Sequence, residues 1–95
     1  MIKSFCDRHT EDVFQRRATK RFGPDTQRVA LRKLLQMDAA TRLETLALPP
    51  GTMLEALKDD RVGQHSIRVN DPWRVCFVWR EGDAYNVEIV DYHKG

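Results

Sequence analysis

The sequence predicts an α+β domain in which two or three helices pack on one face of a mainly antiparallel sheet. Three observations carry this. Between Gln64 and Trp79, Ile67 and Val69 alternate with Ser66 and Arg68, and after an Asn70-Asp71-Pro72 turn, Trp73, Val75, Phe77 and Trp79 alternate with Arg74 and Cys76. Following Pro24, Val29, Leu31, Leu34 and Leu35 recur at spacings near 3.6 among Arg28, Arg32 and Lys33, the signature of an amphipathic helix. The order of elements is strand, helix, helix, then a meander of strands.

Taken in order, Met1 to Phe5 alternates and reads as a short first strand, whose neighbour in the sheet the sequence leaves open. Thr10 to Arg17 reads as a short helix with Val13 and Phe14 apolar, and His9 lies at its entry. The basic cluster Arg16, Arg17, Lys20 and Arg21 at its end suits the helix dipole and reads first as a solvated face, with phosphate contact as the minority reading. Gly23-Pro24-Asp25 breaks the chain and offers Asp25 as an N-cap for the main helix. Asp38 ends that helix or caps a short turn containing Leu43 and Leu46, and Leu48-Pro49-Pro50-Gly51 forces an extended connection. Leu54 to Leu57 reads as a short strand and Lys58 to Gly63 as a charged loop. The hairpin of the opening observation follows, then a three-residue turn Glu81-Gly82-Asp83 and a last strand from Ala84 to Tyr92. In that strand Tyr85, Val87 and Ile89 share a face, opposite Trp79, Phe77 and Val75.

A chain of 95 residues, 41% hydrophobic and 32% charged, fits one domain over residues 1–95 with one modest core. It has neither a run long enough to span a membrane nor a signal-peptide pattern, so the expected compartment is the cytoplasm, with no membrane partner. Cys6 and Cys76 make neither a disulfide framework nor a metal cluster, and a reduced, partly buried thiol is expected at Cys76. Net charge is +2, divided as +4 over residues 1–40 and −2 over residues 41–95. That balance argues against coating duplex DNA by charge alone but leaves room for a local basic site.

If the apolar side of the hairpin faces the helices, period two sends Arg68, Arg74, Cys76, Glu88 and Tyr92 to an open face. Registers that bury Ile67 and Val69 place Arg68 beside or diagonal to Arg74, and like charges on neighbouring strands repel unless an anion sits between them. A phosphodiester would fit. The chain ends Asp91-Tyr92-His93-Lys94-Gly95, which brings a carboxylate, a phenol and an imidazole near that pair. His93 can exchange a proton with a ribose oxygen, Tyr92 can hydrogen-bond or stack on a base, and Arg74 can hold charge on phosphoryl oxygens. Asp91, with the parity of Ile89, can pin His93. Surface decoration is the competing reading for the arginines and the tail histidine. Alanine at Arg74 or His93 is expected to leave stability nearly unchanged if both sit on an open face. His65, Trp73 and Trp79 fall on the apolar side and read as packing residues.

The runs Leu54-Glu55-Ala56-Leu57-Lys58, Asp60 to Phe77 and Asp83 to His93 closely resemble the HigB toxins of the RelE/ParE superfamily of type II toxin–antitoxin systems. The resemblance extends over nearly the whole chain, including Met1 to Phe5 and Asp38 to Thr41. It implies a small RelE-like fold and a ribosome-dependent endoribonuclease. Such an enzyme enters the A site and cuts mRNA, with the ribose 2′-hydroxyl as nucleophile and neither metal nor other cofactor. It also implies a HigA-like helix-turn-helix antitoxin as partner, with operator DNA bound only through the toxin–antitoxin complex. The family's terminal Asp-Tyr-His falls on Asp91, Tyr92 and His93, and its sheet arginine on Arg74, beside which Arg68 completes the expected catalytic set. Lys58 and Arg61 match a loop that contacts RNA in relatives. Some relatives carry a catalytic histidine where this chain has Glu55. A glutamate there can act as a base but repels a phosphate. That departure supports a second reading: a weak or inactive toxin acting mainly as binding partner and co-repressor with the antitoxin. Gyrase inhibition, as in ParE relatives, is the third reading, and the terminal Asp-Tyr-His speaks against it.

Overall fold

The computed structural model describes residues 1–91. Within them α1 (Arg8–Phe14) and α2 (Pro24–Ala39) cover one face of a four-stranded antiparallel sheet. The strands are β1 (Glu55–Ala56), β2 (His65–Asn70), β3 (Trp73–Arg80) and β4 (Asp83–Asp91), in spatial order β1-β2-β3-β4. The expected α+β architecture is therefore the observed one.

Helix boundaries follow local chemistry. Asp7 caps α1, its carboxylate accepting from the Thr10 N–H at 2.7 Å. At α2 the cap is Gly23 with Pro24 in the first turn, and Asp25, expected as the cap, lies inside the helix instead. Asp38 does not end α2, which runs to Ala39; its carboxylate accepts from the Ile2 N–H at 2.8 Å and ties down the N-terminal segment. Leu43–Ala47 forms the expected short turn, as a 3₁₀ helix.

The buried side of α2 is Ala30, Lys33, Leu34 and Met37, whereas Leu35 is exposed and Val29 and Leu31 are only partly covered. The stripe is thus rotated from the expected one and contains a lysine. Leu34 and Met37 meet Ile67, Val75, Phe77, Ala84, Val87 and Ile89 of the sheet in one apolar core. Trp73 packs edge-on to Phe22 with centroids 5.0 Å apart, and Trp79 edge-on to Phe77 at 6.4 Å, so both tryptophans serve packing. His65 stacks on Phe77 at the core's edge.

The first segment finds its place beside β4, where Ile2 bridges Ala84 and Phe5 bridges Val87, both parallel. Further along, the Thr10 hydroxyl accepts the Ile89 N–H at 2.9 Å, so the outer edge of β4 is covered along much of its length. The β3–β4 turn has two residues, Glu81 and Gly82, both at positive φ, with Arg80 opposite Asp83. Gly82 is required twice, by φ +83 and because a Cβ there would come within 3.2 Å of the Thr41 carbonyl oxygen. Tightening the turn by one residue shifts the register, and a bulge at Asn86 (φ 53) shifts it back. Val75 therefore lies opposite Ile89 as expected, but Ala84 rather than Tyr85 pairs with Trp79 and enters the core. Tyr85 instead lies under the Arg80 guanidinium, 4.7 Å from its ring centre.

Candidate RNA-cleavage site

Direct pairing places Arg68 of β2 opposite Arg74 of β3, within a face that also carries Ser66, Cys76 and Glu88. The parity expected from the sequence is right. The openness is not. Ser66, Arg74 and Cys76 are buried, Arg74 at 8% exposure, and the Met53 carbonyl, Glu55 and Arg61 reach this face from β1 and the segments on either side of it.

Arg74 is held on several sides. Its Nε donates to Ser66 Oγ at 2.9 Å and its Nη2 to the Met53 carbonyl at 2.7 Å, and the Glu55 carboxylate lies 3.6 Å from Nη2. Glu55 is half exposed, so its carboxylate is free to turn to water while Ser66 and Met53 keep the guanidinium in place. Alanine at Arg74 therefore cannot be neutral for the fold, contrary to the expectation from an open face.

Arg68 is more accessible, its side chain 35% exposed, and among the described residues its guanidinium bonds the highly exposed Asp71 at 3.4 Å. Its backbone N–H donates to the Thr52 carbonyl at 2.7 Å. Arg61, expected at the RNA, reaches back over the face to Gln64 at 3.1 Å and Glu88 at 3.4 Å, while Lys58 points into solvent. Partial burial, then the charge of Glu88, raise the Cys6 thiol above its ordinary value. Burial raises the Cys76 thiol above its usual range, with Arg61 pulling the other way and Glu88 adding to the rise, so a neutral thiol stands between the charged groups.

At the other end of this face, Trp73 pairs with Asp91 and Arg74 with Val90, so the described part of β4 ends one position beyond Arg74. Asp91 is exposed. Tyr92 and His93 lie outside the described residues. The basic cluster Arg16, Arg17, Lys20 and Arg21 belongs to the helix layer, where Arg16, Arg17 and Arg28 rim a cleft of about 470 Å³ floored by Val13 and Leu31. Arg17 pairs there with Asp12 at 3.0 Å.

Sequence reasoning missed Lys33, Thr52 and Ser66. Lys33 is 5% exposed and donates from Nζ to Thr52 Oγ at 3.1 Å. A legible signal existed: position 33 lies among Ala30, Leu34 and Met37 on one helical face. Burial, then Arg32 and Arg68, lower the Lys33 ammonium below its ordinary 10.5. Below the lowered value both folded and unfolded chains hold the proton, and the burial penalty acts in full. Between that value and 10.5 the folded chain releases it first, so Lys33 makes stability rise with pH across that window. Lys33→Met should remove this rise, which urea unfolding at a series of alkaline pH values measures.

Two comparisons bear on what such a face belongs to. The family model described as the RelE-like toxin of type II toxin–antitoxin system HigB matches residues 3–93. Toxin HigB-1 of Vibrio cholerae serotype O1 (strain ATCC 39315 / El Tor Inaba N16961) is 37% identical over 95 residues, covering 99% of both chains. Endoribonuclease HigB of Proteus vulgaris is 36% identical over 94 residues, 98% of this chain and 100% of that protein. With the family model matched almost end to end and helices on an antiparallel sheet as the fold, this chain belongs to the HigB-like toxins of type II toxin–antitoxin systems.

Proposed function

We propose that this chain is a ribosome-dependent endoribonuclease that cuts mRNA in the A site. The observation that carries the reading is the direct pairing of Arg68 with Arg74, two cations side by side on neighbouring strands beside the end of β4. Such a pair favours an anion between its members. The relative named Endoribonuclease HigB supports RNA as the source of that anion.

In this reading the ribose 2′-hydroxyl attacks the adjacent phosphorus, the bond to the 5′-oxygen breaks, and a 2′,3′-cyclic phosphate and a free 5′-hydroxyl result. No metal takes part. Arg68 and Arg74 stabilise the extra negative charge on the phosphoryl oxygens as the phosphorus becomes five-coordinate. His93 exchanges the proton with a ribose oxygen, with Asp91 orienting it, and Tyr92 bonds or stacks on a base. Lys58 and Arg61 contact the RNA backbone on the opposite flank, and for Arg61 this requires exchanging Glu88 for a phosphate. A HigA-like antitoxin neutralises the toxin, and the complex of the two binds operator DNA.

A specific observation favours the second reading, a weak toxin acting mainly as binding partner and co-repressor. Glu55 and Glu88 lie near Arg74 and Arg61, so acids of the chain itself already offset the basic face. The purified protein added to translating bacterial ribosomes distinguishes the two. Cuts within codons, absent without ribosomes, support the enzyme. Intact mRNA, together with operator binding by the toxin–antitoxin complex, selects the co-repressor.

A further inference from the structure

Lys33 stands on the buried side of α2 with Ala30, Leu34 and Met37. Its charge is costly there, and a methionine of similar length would fill the space without desolvating an ammonium. The contacts of Lys33 suggest why the charge is present. Nζ donates to Thr52 Oγ at 3.1 Å, and Thr52 is itself buried. The carbonyl of Thr52 accepts the Arg68 N–H at 2.7 Å, and the carbonyl of the next residue, Met53, accepts from Arg74 Nη2, also at 2.7 Å. Met53 is left-handed at φ 51 and its side chain contributes little to holding it, being 56% exposed. A non-glycine residue keeps such a conformation only where its surroundings impose it. Two positions later, Glu55 lies 3.6 Å from Arg74.

Residues 52–55 thus form a strap across the outer edge of β2, fastened to Lys33 of α2 on one side and to both site arginines on the other. We propose that Lys33 is a positioning residue of the Arg68/Arg74 site: by anchoring Thr52 it fixes the Met53 carbonyl and Glu55, and through them the direction in which Arg74 presents its donors. Lys33 touches no substrate. Its effect passes through the strap, and Thr52 is the joint. This inference rests on the proposed RNA cleavage at the same face.

The test compares wild type, Lys33→Met, Thr52→Val and Thr52→Ser. Three readouts are taken: thermal unfolding, amide hydrogen exchange at Arg68, and single-turnover cleavage of mRNA on ribosomes. Lys33→Met should melt no lower than wild type yet cleave about ten- to a hundredfold more slowly, as expected when reacting groups lose alignment. The loss should fall on the cleavage step, with the half-saturating ribosome concentration unchanged. Exchange at Arg68 should be faster, because its acceptor sits on the loosened strap. Thr52→Val removes the joint and should also slow cleavage, and Thr52→Ser, which retains the hydroxyl, should restore it. The double variant Lys33→Met/Thr52→Val should cleave no more slowly than Lys33→Met, since both changes break one link. Wild-type cleavage in Lys33→Met overturns the inference. So does a loss that only follows a fall in melting temperature, which marks a merely structural lysine. If wild type does not cut at all, the cleavage reading falls and takes this inference with it. If wild type cuts, Arg68→Ala is impaired and Lys33→Met is not, the inference alone falls.

Discussion

Arg74→Ala should cost the fold about 3 kcal/mol, lower the melting temperature by about 15 °C and abolish RNA cleavage. The stability term arises because Ser66 Oγ, wholly buried, and the Met53 carbonyl each lose a charged donor. Replacing a hydrogen bond from a charged group, and leaving its partner dry, costs about 1–3 kcal/mol. Glu55 adds little, since it is half exposed and regains water once the guanidinium is gone. Arg74→Lys should recover part of the stability but little cleavage, because an ammonium cannot replace the planar fork that spans Ser66 and Met53. Circular dichroism melts and urea unfolding measure the first quantity, and ribosome-bound mRNA cleavage the second. An unchanged melt would mean that Arg74 stands on an uncovered face.

His93→Ala should have the largest effect on cleavage alone, a fall of about 10² to 10⁴ if the imidazole moves a proton in the rate-limiting step. Its pH signature separates it from a binding residue. The limb of the wild-type rate profile that belongs to the imidazole should disappear in His93→Ala. An equal rate in the variant, at every pH, would remove His93 from the reaction.

Much of this was legible because strand alternation and helix spacing are local. The hairpin from Gln64 to Trp79 and the shared face of Arg68 and Arg74, beside or diagonal to one another, follow from period two once Ile67 and Val69 are buried. What stayed hidden depended on contacts distant in sequence. Two errors in counting residues, a two-residue turn and a bulge at Asn86, cancel by Ile89 but leave Tyr85 on the wrong face between them. The N-terminal segment pairs with β4 more than 80 positions away. The burial of Arg74 goes with its contacts to Met53 and Glu55 on the segment leading into β1, which no periodicity announces. Lys33 reads with Arg28 and Arg32 among the charges of the helix, although it stands on the buried side with Ala30, Leu34 and Met37. For the N-terminal segment, Arg74 and Lys33 the missing element was a tertiary partner, and at the candidate site that partner is the strap leading into Glu55.

Arg68→Ala separates chemistry from folding better than Arg74→Ala. Arg68 is over a third exposed by its neighbouring Asp71, itself 92% exposed, so losing this side chain should change stability by less than about 0.5 kcal/mol. The direct measurement is therefore single-turnover cleavage of mRNA in the A site of bacterial ribosomes by wild type and Arg68→Ala, with melts recorded on the same samples. If the paired arginines form the floor of an RNA-cutting site, the two proteins melt together and the variant cuts about a hundredfold more slowly. Equal cutting at equal stability would contradict it.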